Sequence, residues 1–136
     1  MDNAITSPRV AFSVLSILRI YVGLSLLQHG TGKILGFPVV PNFANIHLSS
    51  LAGVGGMIEL VGGLLFTIGL FTRPVAFILS GMMAVAYFMA HAPKSFFPVV
   101  NGGEPAMLYA FIFLFFAAAG AGSWSLDALR SRPAAQ

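Results

Sequence analysis

The sequence predicts an all-α integral membrane protein built as a bundle of four transmembrane helices. Three observations lead there. Hydrophobic residues make up 57% of the 136 residues and charged residues 8%, against roughly 25% charge in an ordinary soluble domain. So few charges cannot dress a water-facing surface. Four apolar stretches, about 10–28, 48–71, 74–90 and 105–122, each approach the ~20 residues that cross ~30 Å of hydrocarbon. No stretch alternates at period two, the mark of a membrane barrel. The length fits a single domain over residues 1–136.

The first stretch, Val10 to Gln28, is too long for the apolar core of a signal peptide. It contains Arg19 and is followed by no small-residue cleavage site, so it is expected as a retained helix. Residues 30–47 form a long connection bearing Gly and Pro. Thr72-Arg73-Pro74 makes a tight turn between the second and third stretches, and Pro74 suits the first turn of a helix. Pro93, Pro98 and Asn101-Gly102 mark residues 92–103 as another loop. The chain leaves the membrane through Ser123 and Trp124, a belt-type aromatic, and ends in a short basic tail. Four spans put both termini on one side with the tight turn. That side carries Arg9, Arg73, Arg130 and Arg132, and the other carries Lys33 and Lys94. The imbalance predicts a multi-pass protein of a cell inner membrane with both termini in the cytoplasm and the two long loops facing outward.

The formal net charge of +3 comes from scattered groups, too few for a nucleic-acid footprint. There is no cysteine, which excludes disulfides, thiolate metal sites, iron–sulfur clusters and dithiol relays within the chain. Any redox role must borrow its carrier. No metal site is expected, because no HExxH or similar spacing occurs. His29 and His91, on different helices at similar depth, leave a bis-His haem geometrically open. There is no Walker lysine and no nucleophile–base motif of hydrolase type, so complete catalytic machinery is not visible in this chain alone.

The informative residues are the polar ones inside apolar stretches. Counted from the outer ends of their helices, Arg19 and Glu59 both sit ~15 Å deep. A lone charge there costs several kcal/mol, and two opposite charges on consecutive antiparallel helices invite pairing. The pair then serves either as a register-fixing salt bridge or as the floor of a ligand site. Gly55-Gly56 and Gly62-Gly63 share the helix face of Glu59, where small residues let another backbone approach or leave room for a flat ring. Ser80, Ala84, Tyr87 and His91 make one stripe on the third helix. Gln28, His29, Gly30 and Lys33 end the first helix, and Asn101 to Glu104 precede the fourth. All three groups reach the outer face and are expected to converge. Glu59 and Glu104 are the candidates for proton exchange. Arg19, His29, Lys33, Tyr87, His91 and Asn101 are the candidates for ligand binding. Each also has a plain reading: Glu104 beside Pro105 as a helix-start acid, Lys33 as a snorkelling anchor, and the histidines as interfacial side chains.

Taken in order, these residues resemble the DoxX family of small four-helix membrane proteins. The resemblance rests on Arg19 and Gly23, His29-Gly30 and Lys33, and Gly56, Glu59, Gly62-Gly63, Gly69 and Thr72-Arg73. It continues through His91, Asn101-Gly102, Glu104 and the run from Gly120 to Asp127. It implies a four-helix membrane bundle associated with membrane redox chemistry. Relatives include a subunit of thiosulfate:quinone oxidoreductase and a membrane component of a complex handling oxidative and thiol stress. The expected function is therefore an accessory or quinone-interacting subunit of a redox pathway, with quinone as its carrier and a polar site open to the outer face. Its partners would be the lipid bilayer and a redox protein, with a homo-oligomer as a further possibility. The alternatives are a non-catalytic scaffold recruiting a soluble redox enzyme through residues 30–47 and 92–103, and an oligomeric carrier of a small solute.

Overall fold

The computed structural model describes residues 7–131; Arg132 of the basic tail lies outside them. Helix α1 runs Pro8–Ile34, well past the expected end at Gln28. Gly30 and Gly32 do not break it, because both are packed: Gly30 against Leu60 and Gly32 against the Phe43 ring. Helix α2, Leu51–Ile68, is capped by the Ser50 side chain and closed by Gly69 at φ 71°, the left-handed geometry that a glycine takes at a helix end. Helix α3, Thr72–Ala86, passes into a π-helical turn, Tyr87–His91, and a 3-10 turn, Ala92–Lys94. The second loop holds a short α4, Pro98–Asn101, ended by Gly102 at φ 71°. Helix α5, Glu104–Ala119, stops at Gly120 with φ 89°, and α6 is Leu126–Arg130. Pro8–Ile34, Leu51–Ile68 and Thr72–Lys94 are long and apolar enough to cross a membrane; Glu104–Ala119 is apolar but has 16 residues, a rise of ~24 Å.

The α2–α3 turn and α6 occupy one end of the molecule, here the turn end. The loops 35–50 and 95–103 occupy the other, the loop end. Helix α1 runs along α2, and α3 along α5. The centre is Phe66, fully buried, with the rings of Phe113 and Phe116 edge-on to it at 5.0 Å each. The α1–α2 seam is a glycine seam. A Cβ on Gly23 would strike Thr67, one on Gly30 would strike the Leu60 backbone, and one on Gly63 would lie 3.1 Å from the Leu27 backbone. Small residues let helices approach closely where no hydrophobic force drives them together. The face of Glu59 thus carries the expected close approach, Gly56 meeting Lys33, Gly63 meeting Leu27 and Gly62 meeting Leu79 of α3.

The same seam sets the register and separates Arg19 from Glu59. Leu27 faces Gly63, and Gly23 faces Thr67, so Arg19 comes opposite the turn after α2 while Glu59 comes opposite the last turn of α1. The expected Arg19–Glu59 pair does not form. Arg19 is fully buried at the turn end. Its Nε donates to the Ala121 carbonyl at 2.8 Å, and Nη1 donates to the carbonyls of Phe66, at 2.7 Å, and Thr67. Nη2 donates to the Trp124 carbonyl. One guanidinium therefore closes the C-terminal end of α2 and fastens the chain that follows α5. Depth counted from a stretch's ends missed this because α1 is longer than its apolar stretch and α2 shorter.

The rest of the turn end follows from that anchor. The Trp124 amide donates to Ser16 Oγ at 3.1 Å. Arg73 donates to the carbonyls of Ala117 and Ala118 at the end of α5. The Asp127 carboxylate accepts from the amides of Phe71, at 2.9 Å, and Thr72, at 2.8 Å, and so caps α3. Burial pushes the Asp127 carboxyl up, but the Thr72 and Phe71 amides and the charge of Arg130 outweigh it and hold it below its ordinary value.

Arg19→Met should cost about 3 kcal/mol or more, since several buried carbonyls lose their donor at once. In a double-mutant cycle with Glu59→Gln, read by thermal unfolding in detergent, the two should couple by less than about 0.5 kcal/mol; strong coupling would restore the direct pair. A carboxylate held below its unfolded value contributes stability above that value and loses it as pH falls through the folded one. The advantage of wild type over Asp127→Asn should therefore shrink on acidification below the ordinary carboxylate range, about 3.9. A difference that does not change with pH would contradict the cap.

Candidate functional site

Residues expected at one outer site divide between two places at the loop end. On the α3–α5 side, Asn101 is buried and its side chain is fully engaged. Its amide donates to the Ser95 carbonyl at 2.9 Å and to the Tyr87 hydroxyl at 3.3 Å, and its Oδ1 accepts from the Gly103 amide at 2.7 Å. His91 stacks on Tyr87 at 6.4 Å, and its Nδ1 lies 3.1 Å from the Asn101 carbonyl. Ser80, lower on the same stripe, donates to the Ala110 carbonyl. The stripe thus faces α5, and Tyr87, His91 and Asn101 tie the second loop to the end of α3.

On the α1–α2 side, Lys33 meets Glu59. Lys33 Nζ donates to Oε1 at 2.9 Å and lies 2.8 Å from Oε2, so the ammonium faces both carboxylate oxygens. Glu59 is buried and Lys33 nearly so. The register explains the pairing: Gly56 has no side chain where the Lys33 stem crosses α2. The Phe43 ring, carried by a 3-10 turn at Pro41–Phe43, sits 5.4 Å from the Lys33 ammonium, a cation–π distance. The exposed His29 ring approaches Phe43 at 6.1 Å and Tyr109 of α5 at 6.5 Å.

That last contact leads to a groove between α1 and α5. It measures about 340 Å³ and is lined by Tyr21, Ser25, Glu104, Leu108, Tyr109 and Ile112, among others. Ser25 and Tyr109 share a hydrogen bond across it. Glu104 is exposed in the first turn of α5, beside Pro105, where the helix dipole favours a carboxylate. The sequence reading missed Tyr21, Ser25, Phe43 and Tyr109. The spacing of Tyr21, Ser25 and His29 at i, i+4 and i+8 was the available signal for a polar stripe on α1. Phe43 had none, because its place depends on how the loop folds back. Among the described residues, no three His, Asp or Glu side chains gather as a metal site.

The family model described as DoxX matches residues 14–92, more than half of the chain. The chain belongs to the DoxX family. Arg19, His29, Lys33, Glu59, Tyr87 and His91 fall inside the matched region, while Asn101, Glu104 and Tyr109 lie beyond it. A Haemophilus influenzae protein named "Uncharacterized protein" is 46% identical over 117 residues, covering 83% of this chain and 87% of its own length. No solved structure matches the chain. Family membership and the apolar helices make it a membrane protein, with Arg19 anchored at the turn end of this DoxX member and the Lys33–Glu59 pair toward its loop end.

Lys33→Met strands a buried carboxylate and should destabilise by about 3 kcal/mol, while Lys33→Met combined with Glu59→Leu should return close to wild type. Unfolding in detergent checks this; a double variant as weak as the single one would contradict a simple buried pair.

Proposed function

We propose that this DoxX-family protein is a membrane-embedded accessory subunit of a redox pathway that holds a quinone head group in the outer half of the α1–α5 groove. The observation that carries the reading is the groove's make-up: a hydroxyl pair, Ser25 and Tyr109, and a carboxylate, Glu104, in an otherwise apolar slot. A lipid-soluble ring that accepts hydrogen bonds fits such a lining. Quinone, when bound, supplies a carrier of two electrons and two protons, which a chain without cysteine cannot supply as a dithiol. Tyr109 and Ser25 would orient ring oxygens, and His29, in edge contact with Tyr109, would join them at the outer rim. Glu104 would exchange protons with the outer face. Glu59, ion-paired with Lys33, would be the second proton-exchanging carboxylate. In this reading Arg19, Tyr87, His91 and Asn101 act on structure, not on the ligand. The electron donor is a partner redox protein.

The proposal includes the setting. The whole chain, 1–136, forms one domain of four spans, α5 being completed by the turns at its two ends. The turn end, with Arg9, Arg73 and Arg130, faces the cytoplasm of an inner membrane. A second reading, a non-catalytic scaffold for a soluble redox enzyme, is favoured by the internal engagement of Asn101 and Arg19, whose polar groups leave little for a ligand.

An oxidised-minus-reduced ultraviolet spectrum of the protein in nanodiscs supplied with quinone is expected to show a saturable quinone band. The band should be lost in Tyr109→Phe/Ser25→Ala and weakened in Glu104→Gln. A band unaffected by these changes would overturn the site, and no band above that of empty nanodiscs would favour the scaffold.

A further inference from the structure

The Lys33–Glu59 pair is enclosed, with side chains 16% and 8% exposed, yet it stands near the loop end. Lys33 is in the last turn of α1, and Glu59 is ~12 Å along α2 from its start at Leu51. One side chain covers the ammonium from the loop. The half-buried Phe43 ring lies 5.4 Å from the Lys33 ammonium and 6.1 Å from the His29 ring. It rests against Gly32, where a Cβ would come within 3.1 Å of it. The bare backbone at Gly32 gives the ring its seat.

The segment that carries this ring is fastened at its ends and loosely held between them. On the α1 side the Phe37 amide donates to the Thr31 carbonyl at 3.4 Å. On the α2 side the amide and hydroxyl of Ser50 both hold the His47 carbonyl, and Gly53 packs on His47 and Leu48. Among the described residues, the hydrogen bonds of residues 38–46 are internal: the Phe43 amide to the Val40 carbonyl at 2.9 Å, and the Ala44 amide to the Pro41 carbonyl at 3.3 Å. Residues 35–50 contain no Asp, Glu, Lys or Arg, so no carboxylate, Lys or Arg of their own pins them to the helices by an ion pair. Gly36, at φ 71°, has no atom within 4 Å of where a side chain would stand, which leaves a hinge with room to turn. The second loop is held differently, with Asn101 bonded to Ser95, Gly103 and Tyr87.

We infer that the Pro41–Phe43 turn is a lid: its Phe43 ring closes the Lys33–Glu59 pair off from the outer water, and by swinging away it opens the pair. The closed state is held by a cation–π contact and a seat on glycine, and opening exchanges no hydrogen bond between the turn and a helix. Contacts of that size break and re-form locally without unfolding the helices beneath. His29 touches both Phe43 and Tyr109, so the lid also borders the outer rim of the α1–α5 groove. If Glu59 exchanges protons as proposed above, the lid sets when those protons reach the outer face; that clause rests on the proposed function, while the lid itself does not.

Lys33 and Lys94 are the two lysines of the chain, and Lys94 is exposed, so amine labelling read by peptide mass spectrometry carries its own reference. Purified protein in nanodiscs, without quinone, would be treated with a small reagent, formaldehyde with cyanoborohydride, and in parallel with a bulky one, a sulfonated biotin ester. In wild type, Lys33 should react with the small reagent and lag well behind Lys94 with the bulky one. Phe43→Ala should raise bulky labelling of Lys33, relative to Lys94, by about tenfold, the shift that one partly desolvated cation–π contact accounts for, with a much smaller change for the small reagent. Phe43→Trp should stay protected and Phe43→Leu should fall between, each variant eluting like wild type on gel filtration. Bulky labelling of wild-type Lys33 at the Lys94 rate would overturn the lid, as would continued protection in Phe43→Ala. Equal gains for both reagents would also overturn it, since they would report a loosened ion pair and not an opened cover. Quinone takes no part in the readout, so failure of the groove site and failure of the lid are separate results.

Discussion

Everything at the turn end depends on one guanidinium. Helices α2 and α5 both stop level with Arg19, and a helix that stops in an apolar surrounding leaves carbonyls that water cannot reach. Arg19 meets that need with its fork of donors, reaching two carbonyls at the end of α2 and two in the segment after α5. Only arginine carries enough donors in a fixed plane to do this from one position. The charge is accommodated because four carbonyl dipoles are aimed at it.

The glycine seam links that anchor to the chemistry at the other end. With Gly23, Gly30 and Gly63 fixing how α1 slides on α2, placing Arg19 under the α2 terminus also places Lys33 over Glu59. A one-turn slip would break both at once. The molecule thus has a rigid, arginine-closed end and an end where an ion pair, an aromatic cover and a hydroxyl-lined groove lie in contact through Phe43, His29 and Tyr109. Buried ion pairs contribute little net stability, so an ionisable pair inside a membrane protein is a functional candidate.

Hydropathy and local spacing were enough to find the four apolar helices, a tight connection between the second and third, and the close approach at Gly56 and Gly62-Gly63. The turn itself falls at Gly69 to Phe71, and the expected turn residues Thr72-Arg73-Pro74 instead begin α3. Hydropathy also singled out Arg19 and Glu59 as special. It could not choose their partners. Helix rotation and register are decided by contacts across the seam, and the groups that satisfy Arg19 are backbone carbonyls, which carry no sequence signature. Lys33 read as a ligand-binding candidate or an interfacial anchor, because its reach back to Glu59 depends on the bare backbone at Gly56. The stripe on α3 was legible, but not that it faces α5. Asp127 was seen only as part of a family run, since its role as the cap of α3 spans more than fifty positions.

Hydrogen exchange followed by mass spectrometry on Arg19→Lys, beside Glu59→Gln, tests the separation of the two ends most directly. The account predicts faster exchange for Arg19→Lys in residues 66–72 and 120–127, with the loop end unchanged, and the reverse pattern for Glu59→Gln. If Arg19→Lys instead loosened the Lys33–Glu59 end, or both variants changed the same segments, Arg19 and Glu59 would belong to one site and the account would be contradicted.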